Sequence, residues 1–168
     1  MEKVIHVSYT IWALGITAAE LLDEGDLGFE TRVAVQKVVY FLQRLGLVKG
    51  YVFGPYLHGP YSRELADDYM WLARKGDKFI EELAAQCRCQ ELEKWVNYLG
   101  EVDIRTLATA STLDWLLQFK KDLEAARRHL KLIKPWITDE DVSAAETVLR
   151  DLGLLTDANS QKAYIALT

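Results

Sequence analysis

Thr31-Arg32-Val33-Ala34-Val35-Gln36-Lys37-Val38-Val39-Tyr40-Phe41-Leu42-Gln43-Arg44-Leu45-Gly46 is the stretch on which the fold turns. Val35, Val38, Val39, Leu42 and Leu45 recur at helical spacing. Val33, Tyr40 and Phe41 widen that apolar surface, leaving Gln36, Lys37, Gln43 and Arg44 as one narrow polar stripe. A helix apolar on most sides belongs at the centre of a core. Gly46 stands where a helix ends in left-handed backbone. Thr31 is placed to cap its start.

Upstream, a first helix is expected over roughly Val4–Leu22, ended by Asp23-Glu24-Gly25-Asp26-Leu27-Gly28. Downstream, Leu47–Leu57 holds Val48, Tyr51, Val52 and Phe53 among glycines, which predicts short extended structure or a small β-ribbon. His58-Gly59-Pro60-Tyr61-Ser62 follows; Pro60 biases Gly59 away from helix, and Ser62 is a good N-cap for a helix to about Lys75. On that helix Leu65, Tyr69 and Leu72 face one way, and Gly76 stops it. Helical stretches follow over Lys78 to about Cys87 and over Glu91–Leu99. Ile104 to Ile133 reads as one long helix or two abutting ones, terminated by Pro135. Thr138 with Asp141 opens a last helix in a capping-box pattern, with Val142, Ala145, Leu149 and Leu152 as its stripe and Gly153 at its end. Leu154-Leu155 and the run Ala163–Leu167 are expected to pair as short strands around Asp157–Ser160. The fold class is therefore mainly α: a compact helical domain over 1–168 with one or two small β-ribbons. Residues 135–168 are a candidate C-terminal appendage, with Lys134-Pro135-Trp136 as the best boundary. The five tryptophans sit mostly within helical patterns and are expected mainly in the core.

One internal echo stands out. Residues 31–48 and 138–155 align without gaps: Thr31 with Thr138, Val35 with Val142, Leu42 with Leu149, and Leu45-Gly46-Leu47 with Leu152-Gly153-Leu154. Both read as helix–glycine–strand units, the pattern that opens the β-wing of a winged helix. A duplication and a shared grammar of helix ends both produce such an echo.

Composition sets the outer bounds. The chain has 168 residues, 50% hydrophobic and 27% charged, with 3 prolines, which excludes a disordered or collagen-like chain. A chain of this length buries about 70% of its unfolded surface and folds without metal or disulfide. Its net charge of −5 disfavours coating nucleic acid through bulk charge. Cys87 and Cys89 are too close in sequence for an ordinary bridge. The start Met1-Glu2-Lys3-Val4-Ile5-His6 lacks the features of a signal peptide, and residues 4–22 are broken by polar groups, unlike a membrane span. A cytoplasmic protein without membrane insertion is expected.

The helix Lys37-Val38-Val39-Tyr40-Phe41-Leu42-Gln43, followed at this spacing by Gly59-Pro60-Tyr61-Ser62 with Glu64 and Leu65, resembles the YwgA-like proteins and the wider SocA/Panacea antitoxin domain. That family shows a K-[LIV]-[LIV]-Y-[FL]-L-Q helix, a short strand region and a Y-G-P-[YV]-S-x-E-L turn into a helix. His58 stands where the family usually has tyrosine or another aromatic. Ala110-Ser111-Thr112-Leu113 resembles a family helix start. Strict resemblance covers about residues 30–75, with weaker support to about residue 150. It implies a compact helical domain with a small β element that binds a toxin, or delivers it to a protease or chaperone. It implies no shared reaction, and no catalytic residue is carried over.

The candidate site residues divide into two groups. Phe53, Tyr56, His58, Gly59, Pro60, Tyr61 and Ser62 are the candidate partner-binding segment, with Tyr56, His58 and Tyr61 as aromatic anchors. The same Gly59–Ser62 motif also serves as a rigid turn and helix cap. Lys120, Lys121, Arg127, Arg128, Lys131 and Lys134 form a locally basic stretch, the best nucleic-acid candidate or else a solvated face that meets the acidic segment Glu20-Asp23-Glu24-Asp26. Ser62 lacks a G-x-S-x-G setting for nucleophilic catalysis. Cys87-x-Cys89 lacks the second pair of a zinc site, and Glu64, Asp67 and Asp68 read as a solvated helix face. No enzyme activity, metal or cofactor is expected. The leading expectation is a non-enzymatic protein-interaction module, its partner a toxin or another component of a toxin–antitoxin or defence system. The alternative is a winged-helix-like nucleic-acid-binding protein.

Overall fold

The computed structural model describes residues 1–156. They form nine helices and one two-stranded antiparallel sheet, a mainly α fold with a small β-ribbon. The chain divides into two compact units, one over residues 1–104 and one from residue 105 onward. The sequence-based boundary at Lys134-Pro135-Trp136 lies inside the second unit.

The first unit holds α1 (Glu2–Ala13), α2 (Ala18–Leu22), α3 (Asp26–Arg44), β1 (Gly54–Tyr56), β2 (Gly59–Tyr61), α4 (Arg63–Lys75), α5 (Asp77–Ala84) and α6 (Gln90–Gly100). The single helix expected over Val4–Leu22 is two. Gly15 takes a φ of 70° and turns the chain, and Thr17 then starts α2 with a reciprocal capping box to Glu20. α3 is the central helix: Val35, Val38, Val39, Phe41 and Leu42 are essentially inaccessible. It packs against α1, α2, α4, α6 and β2.

α3 begins at Asp26, not at Thr31. The cap comes from Asp23, whose carboxylate accepts from the backbone N–H groups of Gly25 and Gly28 at 3.1 and 3.0 Å. Thr31 lies inside the helix, its hydroxyl donating to the Leu27 carbonyl. A Cβ at position 28 would lie 2.0 Å from the Asp23 carbonyl oxygen, so this tight entry requires glycine.

The β-ribbon is shifted relative to the expected 47–57. Residues 47–53 are irregular, and the hairpin pairs Gly54 with Tyr61, Pro55 with Pro60 and Tyr56 with Gly59. Gly59 at φ 104° provides the left-handed backbone this return needs. Ser62 caps α4 as expected, its hydroxyl accepting from the Leu65 N–H at 3.2 Å, and Leu65, Tyr69 and Leu72 are buried.

The second unit holds α7 (Ile104–Lys120), α8 (Leu123–Ile133) and α9 (Asp139–Asp151). Ile104–Ile133 is thus two helices, broken at Lys121, whose φ is 55°. Ala110-Ser111-Thr112-Leu113 is not a helix start: it lies in the middle of α7, and all four residues are buried. Thr138 and Asp141 form the expected capping box.

The echo resolves into its parts. At both glycines the same C-terminal geometry appears: Gly46 has φ 78° and Gly153 φ 76°. Leu47 and Val48 donate to the Leu42 carbonyl, as Leu154 and Leu155 donate to the Leu149 carbonyl. The N-terminal ends differ, since Thr138 caps its helix and Thr31 does not. No strand directly follows Gly46, and none occupies 154–156, so the expected helix–glycine–strand pattern is absent from the described residues. Ala163–Leu167, the expected second strand, lies outside them.

None of the five tryptophans is buried, contrary to expectation. Trp12, Trp71 and Trp136 are exposed, and Trp95 and Trp115 are half-buried. Four of the rings, those of Trp12, Trp71, Trp95 and Trp115, pair with Tyr9, Phe79, Tyr98 and Phe119, and Lys75 and Lys94 lie over two of them.

Candidate functional site

The polar stripe of α3 is a clamp. Gln36 is 2% exposed; its amide donates to the Ser62 carbonyl at 2.8 Å and accepts from the Ser62 N–H at 2.9 Å. One heptad on, Gln43 does the same to Tyr51, at 2.7 and 3.0 Å. A primary amide carries a donor and an acceptor side by side, so each glutamine closes a two-bond ring with a backbone residue that has no strand partner. Between them, the buried Lys37 ammonium donates to the Pro60 carbonyl at 2.7 Å. Three side chains of one helix therefore hold the 51–62 segment at its ends, at Tyr51, Pro60 and Ser62.

The clamp sorts the candidate partner-binding residues. Gly59, Pro60 and Ser62 are buried and structural. Phe53 is half-buried, its ring edge-on to Tyr40 at 5.3 Å. Tyr56 and His58 are exposed, and Tyr61 is half-buried. Leu57, which the motif reading did not select, is 77% exposed at the hairpin tip beside Tyr56 at 62%. Its signal was its place between two aromatics in a two-residue turn. Tyr56 stacks on Tyr61 at 5.0 Å, and His58 meets Phe29 edge-to-face at 5.1 Å.

Below the hairpin is a cleft of about 370 Å³. Phe29, Arg32 and Val33 line it from α3, Tyr61 from β2, and Tyr69 and Met70 from α4. The Arg32 guanidinium donates through Nη1 to the Leu21 and Asp23 carbonyls at 2.9 and 2.7 Å. Burial pushes the Tyr69 hydroxyl up to about 12, while the hydrogen bond to Gln36 and the nearby Arg32 charge pull the other way. The phenol is therefore neutral throughout the physiological range. Arg32, Val33, Tyr69 and Met70 were not among the sequence candidates, because cleft walls share the periodicity of core positions.

Tyr51 is fixed from the opposite side. Its hydroxyl donates to Asp68 at 2.7 Å, and burial and that carboxylate raise its pKa. Glu64 pairs with Lys3 at 2.5 Å. Two of the three carboxylates weighed as a metal cluster are thus engaged in tying α4 to neighbouring segments. Among the described residues no three metal-ligating side chains converge. Cys89 caps α6, its sulfur accepting from the Leu92 N–H at 3.4 Å.

The basic stretch is not a continuous cationic face. Lys120, Lys121 and Arg128 are exposed. Arg127 forms a bidentate pair with the buried Glu146 at 2.9 and 2.5 Å and also reaches Glu124. These carboxylates raise its pKa. Lys131 bonds Asp139. Lys134 is 6% exposed, and burial lowers its pKa. Half of the six residues are therefore neutralised or withdrawn. Glu20 and Asp23, two residues of the acidic segment, use their carboxylates as local helix caps, accepting from the Thr17 and Gly28 N–H groups.

No helix among the described residues is long and apolar enough to cross a membrane. Comparisons with protein-family models, curated proteins and solved structures each give no match.

Proposed function

We propose that the chain is a non-enzymatic protein-interaction module of the cytoplasm, similar in role to an antitoxin or adaptor. The observation that carries this reading is the exposure of Tyr56 and Leu57 side by side. Both are exposed at the tip of a hairpin whose base is clamped by buried Gln36 and Lys37. Exposed aromatic and apolar anchors of this kind dominate interface energies when a partner desolvates them. The charge pairing of Arg127 and Lys131 favours this reading over a nucleic-acid interface.

The test is co-expression with adjacent genes and affinity capture, using the wild type and a Tyr56→Ala/Leu57→Asp double variant. One stoichiometric protein partner is expected with the wild type. Its affinity should fall roughly tenfold or more in the variant, as for a hot-spot pair. A partner held equally well by a folded double variant would overturn the assignment. Recovery of nucleic acid, lost at high salt and on Lys120→Glu/Arg128→Glu, would favour the winged-helix reading instead.

A further inference from the structure

We propose that the cleft between α3, the hairpin and α4 is a binding site for a small aromatic carboxylate. Its volume of about 370 Å³ sits at the small end of ligand pockets, room for one ring system and a short arm. Phe29, Tyr61 and Tyr69 give it ring surfaces from three different elements, and Met70 adds a polarizable wall.

The charge of the lining fixes the other half of the ligand. No Asp or Glu lines the cleft, although the chain as a whole carries a net charge of −5. Arg32 does line it. Only Nη1 of its guanidinium is used, on two carbonyls that also fix its direction. The group has five N–H donors, and no further acceptor for it stands among the described residues. A guanidinium edge in a partly enclosed apolar site matches a planar carboxylate with two parallel hydrogen bonds. Lys37 also lines the cleft, but its buried ammonium is turned to the Pro60 carbonyl, so the planar Arg32 edge sets the preference for a carboxylate. Across the cleft on α4, the neutral Tyr69 phenol adds ring surface without adding negative charge.

The test uses the full chain in isolation, so it stands apart from the partner reading. 3-Phenylpropionate and indole-3-acetate are titrated by calorimetry and by amide NMR, against the neutral 3-phenylpropanamide. The carboxylates should give saturable shifts centred on Arg32, Tyr61 and Tyr69 and bind roughly tenfold or more tightly than the amide, the fold-change of one charge-assisted pair. Arg32→Gln should erase that difference. Val33→Trp fills the cleft and should remove binding of acid and amide alike while the helical spectrum persists. The proposal is overturned by no saturation at about 10 mM, by equal binding of acid and amide, by shifts centred elsewhere, or by unchanged binding in a folded Val33→Trp chain.

Discussion

Gln36 offers a peptide-like group to a peptide. Deep in the first unit it replaces the strand neighbour that Ser62 lacks. Gln36→Leu would preserve volume but leave the Ser62 N–H unpaired away from water, while the Ser62 carbonyl keeps the Ala66 N–H at 3.1 Å. Leaving such a buried donor unsatisfied costs about 2 kcal/mol. Ser62→Ala removes only a cap and should cost about 1 kcal/mol. Urea denaturation of the two variants tests the ranking, and a Gln36→Leu chain as stable as Ser62→Ala would refute the clamp. The sequence reading found Gln36, Lys37 and Gln43 as a polar stripe and the Gly59–Ser62 turn as a structural motif, but did not join them. Periodicity shows which side chains avoid the apolar face. It does not show whether a polar stripe meets water or a stretch of unpaired backbone, since both are served by the same residue types.

Helix ends were legible where the signal is local and opaque where it is not. Ser62 and Thr138 cap helices within three residues of themselves. The cap of α3 comes from Asp23, reaching past the N-cap position across a turn, while Thr31, the residue type the sequence offers as a cap, lies inside the helix. The glycines separate the same way. At Gly46 and Gly153 an added Cβ meets nothing within 4 Å, so only the left-handed backbone opposes it. Alanine at either should cost about 1–2 kcal/mol, and nearly the same at both. Gly28→Ala drives a Cβ into the Asp23 carbonyl and should cost clearly more than either, despite an ordinary helical backbone. Denaturation midpoints of the three variants check the order; Gly28→Ala behaving like Gly46→Ala would show that the Asp23 turn yields.

At the scale of the molecule the two units are held by different chemistry. The first rests on the apolar α3, its two amide clamps and the buried Lys37 ammonium, with the Lys3–Glu64 pair outside them. The second joins its helices by arginine–carboxylate pairs: Arg105 holds Asp141 between α7 and α9, and Arg127 holds Glu146 between α8 and α9. Arg105, then the Thr138 N–H, hold the Asp141 carboxyl well below the usual carboxylate range, and Lys131 lowers Asp139 likewise. A carboxylate depressed on folding stabilises the fold above its unfolded pKa, near 4, and loses that contribution as pH falls through the folded value. The melting temperature should be flat from about pH 5 to 8 and decline below about pH 4. Asp141→Asn should lower it at neutral pH and make the acid decline shallower; an unchanged acid limb would remove Asp141 from the account. The hairpin, by contrast, has strands of only three residues and little ladder of its own. Its C-terminal side is moored to the central helix instead, through Lys37 at Pro60 and Gln36 at Ser62. Pulling that side of the ribbon away would strip a buried ammonium and a buried amide of their partners, so the root of the hairpin and the middle of the first unit shift together or not at all.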